Sequence, residues 1–233
     1  MKKQSGFTLI EIMIAFLVGL IIIAATITIY IATIKGSSDT LKSARLNYDL
    51  ESVMSLMVND IRRAGYWGGA IAGADSFTNP FTIGNANIQI PTSACILYSY
   101  DADSPPDGIP DNGEYYGFKL QSGAIKIRSA DTADTTADCT GSGWSTLSVE
   151  ENVNVTALTF TPAYKCLNVT TALSYDTTCA ATATAANLTT GQKASESRQI
   201  DIVLTGQLVN DSAVTKTLTS TIKVRNDRIF TQP

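Results

Sequence analysis

The chain has 233 residues, of which 44% are hydrophobic and 16% charged, with 17 Lys+Arg against 21 Asp+Glu. That acidic balance excludes a chain-wide electrostatic footing for nucleic acid, so no nucleic-acid partner is expected. Histidine is absent, which removes the usual general base, the usual nitrogen metal ligand and the base partner of a Ser or Cys nucleophile.

Met1-Lys-Lys-Gln-Ser-Gly6 is a short basic leader, and the run from Phe7 to Ile34 carries a single charge, Glu11. A membrane span needs roughly 20 apolar residues, so this run is long enough to cross a bilayer. Lys2 and Lys3 before it fit the positive-inside rule, with the rest of the chain translocated. A secretory signal would have a shorter apolar region followed by a small-residue cleavage site. Here the candidate cleavage point, Gly6–Phe7, precedes the apolar run, so the run is expected to stay in the mature chain. Glu11 is the anomaly: a carboxylate within a membrane span costs on the order of 2.5–3.5 kcal/mol on insertion scales and is a functional hypothesis by default. Interfacial snorkelling, helped by the helix dipole at a helix start, is the alternative reading.

Gly6 followed by Phe7-Thr8-Leu9-Ile10-Glu11 resembles the leader of type IV prepilins and type II secretion pseudopilins. The resemblance implies that a prepilin peptidase cuts after Gly6 and methylates the new amine of Phe7. It also implies that Glu11 serves that methylation and neutralises the amine when a subunit docks into a growing filament. A charge pair formed in a dry helix bundle is position-selective, because a misregistered subunit buries an unpaired charge.

Residues 37–64 contain no proline, and Leu46, Leu50, Val53, Met57, Ile61 and Ala64 recur at spacings of three and four. This periodicity predicts an amphipathic helix with a face for a sheet to cover. The simplest reading is one helix over 7–64, with Ser38 and Asp39 available to cap a restart if Gly36 interrupts it. Gly65 is placed to end the helix in a left-handed conformation, and Tyr66 and Trp67 are expected to pack beneath the sheet, with contact to a partner as the other reading. The stretch Asp60-Ile-Arg-Arg-Ala-Gly-Tyr-Trp-Gly68 resembles the PilW family of minor pilins. A minor pseudopilin of the J type is the nearest alternative.

After residue 70 short β-type runs alternate with Gly, Asn, Asp and Pro. Strands are predicted at 96–100, 115–120, 124–128, 154–161, 198–208 and 215–225, with Val209-Asn210-Asp211-Ser212 as a hairpin turn. The expected fold class is α+β: a long N-terminal helix, half transmembrane and half amphipathic, packed on a C-terminal antiparallel β-sheet domain as in pilins. The domain reading is leader 1–6, transmembrane and filament-core helix 7–35, amphipathic helix 36–64 and β-rich domain 65–233. Cys95, Cys139, Cys166 and Cys179 form an even set in a Thr/Ser/Asn-rich region, which fits two disulfides in an oxidising compartment. Three pairings exist. Joining sequence neighbours favours Cys95–Cys139 and Cys166–Cys179, with Ala/Thr-rich loops at 129–143 and 169–192 pinned by them, and free buried thiols are the other reading.

One loop carries candidate metal chemistry. Asp101, Asp103, Asp107, Gly108, Asp111 and Glu114 follow the order of an EF-hand loop if two residues are inserted after Asp103. Five carboxylates this close repel one another unless a cation gathers them, and an all-oxygen donor set selects Ca2+. The alternative is a solvated acidic loop, and no cofactor is otherwise required.

The PilW resemblance implies a minor pilin that primes or supports type IV pilus assembly. Its expected partners are other minor pilins, the major pilin, a pilus-tip adhesin and the prepilin peptidase. Its expected location is the inner membrane, as a single-pass protein with a periplasmic C-terminal domain, and then the pilus. Alternatives are a minor pseudopilin of a type II secretion system and a pilus-borne binding or adhesion module. No nucleophile–base pair or phosphate-binding Gly loop is found, so no enzyme activity is expected.

Overall fold

The computed structural model describes residues 6–68, 79–128, 138–141, 143–148, 151–170, 175–176 and 188–231. Residues 1–5 of the leader, Cys179 and most of the two Ala/Thr-rich loops lie outside these. The chain divides into two compact units, Met1–Arg45 and Leu46–Pro233. A single helix, α1, runs from Leu9 to Ile61, and Gly36 does not interrupt it.

From Leu9 to Ile34 the helix is polar only at isolated points. The hydroxyls of Thr26, Thr28 and Thr33 donate to the carbonyls of Ile23, Ala24 and Ile29 at 2.8, 2.8 and 2.9 Å. Back-bonding of this kind satisfies a hydroxyl within its own helix, which is what an apolar surrounding requires.

The second unit closes two antiparallel sheets on the last turns of α1. The first sheet runs in order through β1 (Gln89–Thr92), β2 (Cys95–Ser99), β3 (Tyr115–Gln121), β4 (Ala124–Arg128) and β5 (Trp144–Thr146). Its β3–β4 turn is a two-residue loop, Ser122-Gly123, with φ of 53° and 79°. Two consecutive positive φ values match the right-handed twist of a tight hairpin, and glycine accepts one of them without strain. The second sheet is built on β6 (Val153–Asn168) and β8 (Lys193–Leu208). Along the outer edge of β8 lie β9 (Asp211–Lys223), opposite Gln199–Leu208, and β10 (Arg228–Thr231), opposite Lys193–Glu196. Strand β7 (Tyr175–Asp176) pairs with the end of β6.

The sheet placed behind the helix is therefore two sheets, joined where Phe160 N–H donates to Ser93 O and Val155 N–H to Gly123 O, both at 2.7 Å. These bonds leave β6 on the side away from β8. Pro162 is two residues beyond Phe160, so its missing N–H falls on that same side and costs no ladder bond. A bulge between Val155 and Ala157 changes the strand's phase. Val153 and Val155 face inward before it, Leu158 and Phe160 after it, and all four are buried. Without the extra residue, one of the two pairs would point to solvent.

Helix and sheets share one core, comprising Leu46, Leu50, Val53, Met54, Met57 and Ile61 of α1 with Ile96, Phe118, Phe160, Ile200, Ile202 and Leu204 of the strands. The predicted helical stripe is thus the buried face. The helix end is closed by named donors. Gly65 takes φ +73°, and its N–H donates to Ser99 O at 2.8 Å. Asn226 Nδ2 donates to the carbonyls of Arg63 and Ala64, satisfying groups that the last turn leaves open. A side chain on Gly65 would meet Arg198 Nη2 at 2.8 Å, so both backbone and space select glycine. Tyr66 corrects an expectation: it is 44% exposed, because pairing of the exit strand with Ser99 and Asp101 holds its backbone at the edge of the domain. Trp67 is half-buried.

Cys95 and Cys139 form a disulfide, as the sequence-neighbour pairing expects. Lys119 Nζ donates to Cys139 O at 2.8 Å and lies over the Trp144 ring. Cys166 is buried, and its expected partner Cys179 is outside the described residues.

At the helix end Asp60 accepts from Tyr98 Oη at 2.5 Å and Tyr100 Oη at 2.9 Å, while Arg63 Nη1 lies 3.6 Å from it. Asp60→Ala removes the acceptor of both phenols, and equilibrium unfolding is expected to register a loss of about 2–4 kcal/mol. Burial, then the Asp60 charge, pushes both tyrosines above their ordinary value. In the unfolded chain tyrosine loses its proton near about pH 10, whereas the folded chain retains it. The tyrosine contribution is therefore complete below that pH, and a pH series of unfolding curves should show stability falling above it.

Candidate functional site: a lone acid in an apolar segment, and an acidic loop

In the first unit Phe7 is 84% exposed and large apolar side chains from Leu9 to Ile34 stand open on every side of α1. The helix is long and apolar enough to cross a membrane by length and composition. At about 1.5 Å per residue the run Phe7–Ile34 spans roughly 42 Å, against a hydrocarbon thickness of about 30 Å. Glu11 also has a local role at the start of α1. Its Oε2 accepts from Thr8 N–H and Thr8 Oγ1, both at 2.8 Å, and Thr8 Oγ1 accepts from Glu11 N–H at 3.4 Å. This is a capping box, and its signature, Thr-x-x-Glu before an apolar run, is visible at Thr8–Glu11. Thr8 occupies Oε2, and among the described residues Oε1 has no partner.

In the second unit the exit of α1 and the end of β2 place the acidic loop. Asp101 N–H donates to Tyr66 O at 3.0 Å, continuing β2 alongside the chain that leaves the helix. Asp101 Oδ2 accepts from Gly68 N–H at 3.1 Å and Gly108 N–H at 2.9 Å. Glu114 is buried, with Oε1 accepting from Ala102 N–H at 2.6 Å and Oε2 from Asp111 N–H at 3.2 Å.

Of the five carboxylates expected in a calcium loop, the structure brings three together: one oxygen each of Asp101, Asp103 and Glu114 lie within 4.8 Å of one another. Asp107 and Asp111 are not in that group. Their Oδ1 atoms turn back onto Ile109 N–H and Gly113 N–H at 2.8 Å each, the local turn chemistry that competes for short acidic side chains. Burial, then repulsion from Asp111, Asp107 and Asp101, raises the Asp103 carboxyl above its ordinary value. Burial likewise raises Glu114, against the N–H bonds from Ala102 and Asp111.

Beside the loop lies an open groove lined by Leu56, Asp60, Arg63, Tyr100, Tyr116 and Ile127, among others. Tyr100 and Tyr116 stack at 4.2 Å between centroids, and the Arg63 guanidinium lies 4.0 Å over the Tyr100 ring. Arg63 thus serves as a cation–π partner at the helix end. The contributions of Gly68 and Gly108 to Asp101 have no sequence signal, since backbone N–H groups 33 and 7 residues away are brought in only by the fold.

Asp101→Ala leaves the N–H groups of Gly68 and Gly108 without their acceptor. Loss of two buried hydrogen bonds to a carboxylate is expected to lower stability by about 2–4 kcal/mol, with limited proteolysis cutting first within residues 101–114.

Comparison with known proteins bears on both units. A family model described as "Prokaryotic N-terminal methylation motif" matches residues 1–27, and one described as "Prepilin peptidase-dependent protein B" matches residues 39–224. No curated protein and no solved structure matches the chain. With the apolar helix, the α+β layout and the methylation motif in one polypeptide, this is a type IV pilin-like chain, and it belongs to the prepilin peptidase-dependent protein B family.

Proposed function

We propose that the chain is a minor pilin of the PilW type that primes or supports type IV pilus assembly and turns over no substrate. In this reading a prepilin peptidase cuts after Gly6 and methylates the Phe7 amine, and the chain waits as a single-pass inner-membrane protein with its second unit in the periplasm. It then enters a pilus beside other minor pilins, the major pilin and a tip adhesin.

The observation that carries this reading is the state of Glu11. Its carboxylate is held at the helix start through Oε2 by Thr8, while Oε1 is free to receive a neighbour's Phe7 amine. Extraction of the helix from lipid into a bundle of similar helices is isoenergetic for its apolar surface, because lipid tails and leucine side chains are equally apolar. The charge pair is then what fixes axial register. The choice of PilW over a J-type pseudopilin rests on the Gly65-Tyr66-Trp67-Gly68 exit, whose Tyr66 is open at the domain edge where a neighbouring subunit can contact it.

Mass spectrometry of the chain from its native cell is expected to find N-methylated Phe7 as the first residue. A first residue of Met1, or one beyond Ile34, would end the proposal. Glu11→Val is expected to be cleaved after Gly6 and folded as wild type, but to lose methylation and to enter pili at least about a hundredfold less, since removing one partner of a buried pair costs about 3–5 kcal/mol. Deleting the gene separates the machines: lost piliation with intact exoprotein secretion supports the pilus, and the reverse assigns the chain to secretion.

A further inference from the structure

Three loop carboxylates converge where, among the described residues, no cationic side chain pairs with them. Asp101, Asp103 and Glu114 each bring an oxygen within 4.8 Å of the others, and among the described residues none of the three is paired with a Lys or Arg side chain. At that spacing like charges repel strongly in a partly buried setting.

Asp101 adds an independent observation. The residue is 2% exposed, and its two oxygens are treated differently. Oδ2 has the N–H groups of Gly68 and Gly108, whereas Oδ1 is buried with no hydrogen-bond partner. A buried carboxylate oxygen without a donor is costly and rare in folded proteins. Here it belongs to a buried member of a carboxylate cluster, and among the described residues no N–H or O–H reaches it.

We propose that Asp101, Asp103 and Glu114 hold one Ca2+ ion, with Asp101 binding through Oδ1. The donors are all hard oxygens, which disfavours zinc and copper. Two oxygens on one calcium ion, at about 2.4 Å each, stand at most about 4.8 Å apart, and the observed cluster meets that bound. Magnesium keeps most of its water and takes one or two carboxylates, fewer than converge here. Both Glu114 oxygens accept an N–H yet retain a second lone pair for a cation. Asp111, Asn112 and Gly113 line the same depression as Asp103 and Glu114, leaving room for water to complete six to eight ligands. Through Oδ2 of Asp101 and Gly68 the ion is coupled to the exit of α1. The site stands independently of the assembly role proposed above.

The test uses the full-length chain in detergent micelles, stripped with EGTA, and titrated calorimetrically with CaCl2 and separately with MgCl2. Thermal unfolding is followed in parallel. Single-site calcium heat and a rise in melting temperature, both larger than with magnesium, are expected. Asp103 makes no hydrogen bond within the protein among the described residues, and its neutralisation relieves like-charge repulsion, so Asp103→Asn should melt at or above wild type without metal and bind calcium about tenfold or more weakly. Asp107→Asn should bind as wild type, since Asp107 serves Ile109 N–H. Absence of calcium heat and of a melting shift at millimolar calcium would overturn the proposal. So would equal weakening by Asp103→Asn and Asp107→Asn, which would mark diffuse attraction to an acidic loop, or a magnesium response equal to that of calcium.

Discussion

The second unit depends on one stripe of α1: Leu46, Leu50, Val53, Met57 and Ile61, all buried, around which both sheets close. The inward residues of β6 and β8 and those of β2 and β3 belong to one cluster with that stripe. An apolar stripe alone fixes little about rotation or sliding of a helix over a sheet. Asp60 supplies what it lacks: with Tyr98 and Tyr100 both donating to one carboxylate, a slip of one residue would bury two unpaired phenols and a charge. The polar contact therefore sets the register that the apolar contacts stabilise.

The first unit has the opposite character. Its apolar side chains are exposed all round, so no folding of this chain alone satisfies them in water. A patch far above the few hundred Å2 that soluble surfaces tolerate requires lipid or other chains. The threonines of the span point the same way, their hydroxyls returned to their own helix's carbonyls.

Where a pattern has one physical meaning, it was readable before the fold was known. The three-and-four spacing from Leu46 to Ala64 became the buried helical face, and the alternation Ile200-Ile202-Leu204 became the inward face of β8. Where two effects overlap, it was not. Strand β8 begins at Lys193, five residues before the predicted start, because its inward positions there include Glu196 and Arg198, both buried. Buried charges held by Arg228, Asn87 and the Asn226 carbonyl erase the apolar half of the alternation. Strand β6 runs past Pro162 to Asn168, although proline usually demotes a strand, since its free side needs no donor there. The span itself contains Thr26-Ile-Thr-Ile-Tyr-Ile31, a run with strand-like alternation and β-branching. It is nonetheless helical, the form that satisfies every backbone group internally and that an apolar surrounding would require. The acidic loop shows the same limit: five carboxylates were visible, but which of them would serve local N–H groups was decided by loop geometry.

Glu11 and Asp101 solve a common problem in the two units. Each is a carboxylate where charge is expensive, and each is fixed through one oxygen alone: Glu11 by both donors of Thr8, Asp101 by the N–H groups of two glycines. A carboxylate bonded through both oxygens would be stable and inert, and one bonded through neither would move or take up a proton. Holding a single oxygen orients the other at small entropic cost, so that a cation bound there would meet a group already in place. The specificity of such a group comes from the energy of leaving it unanswered. That energy rises as water is withdrawn, in the apolar surroundings of Glu11 and in the interior around Asp101.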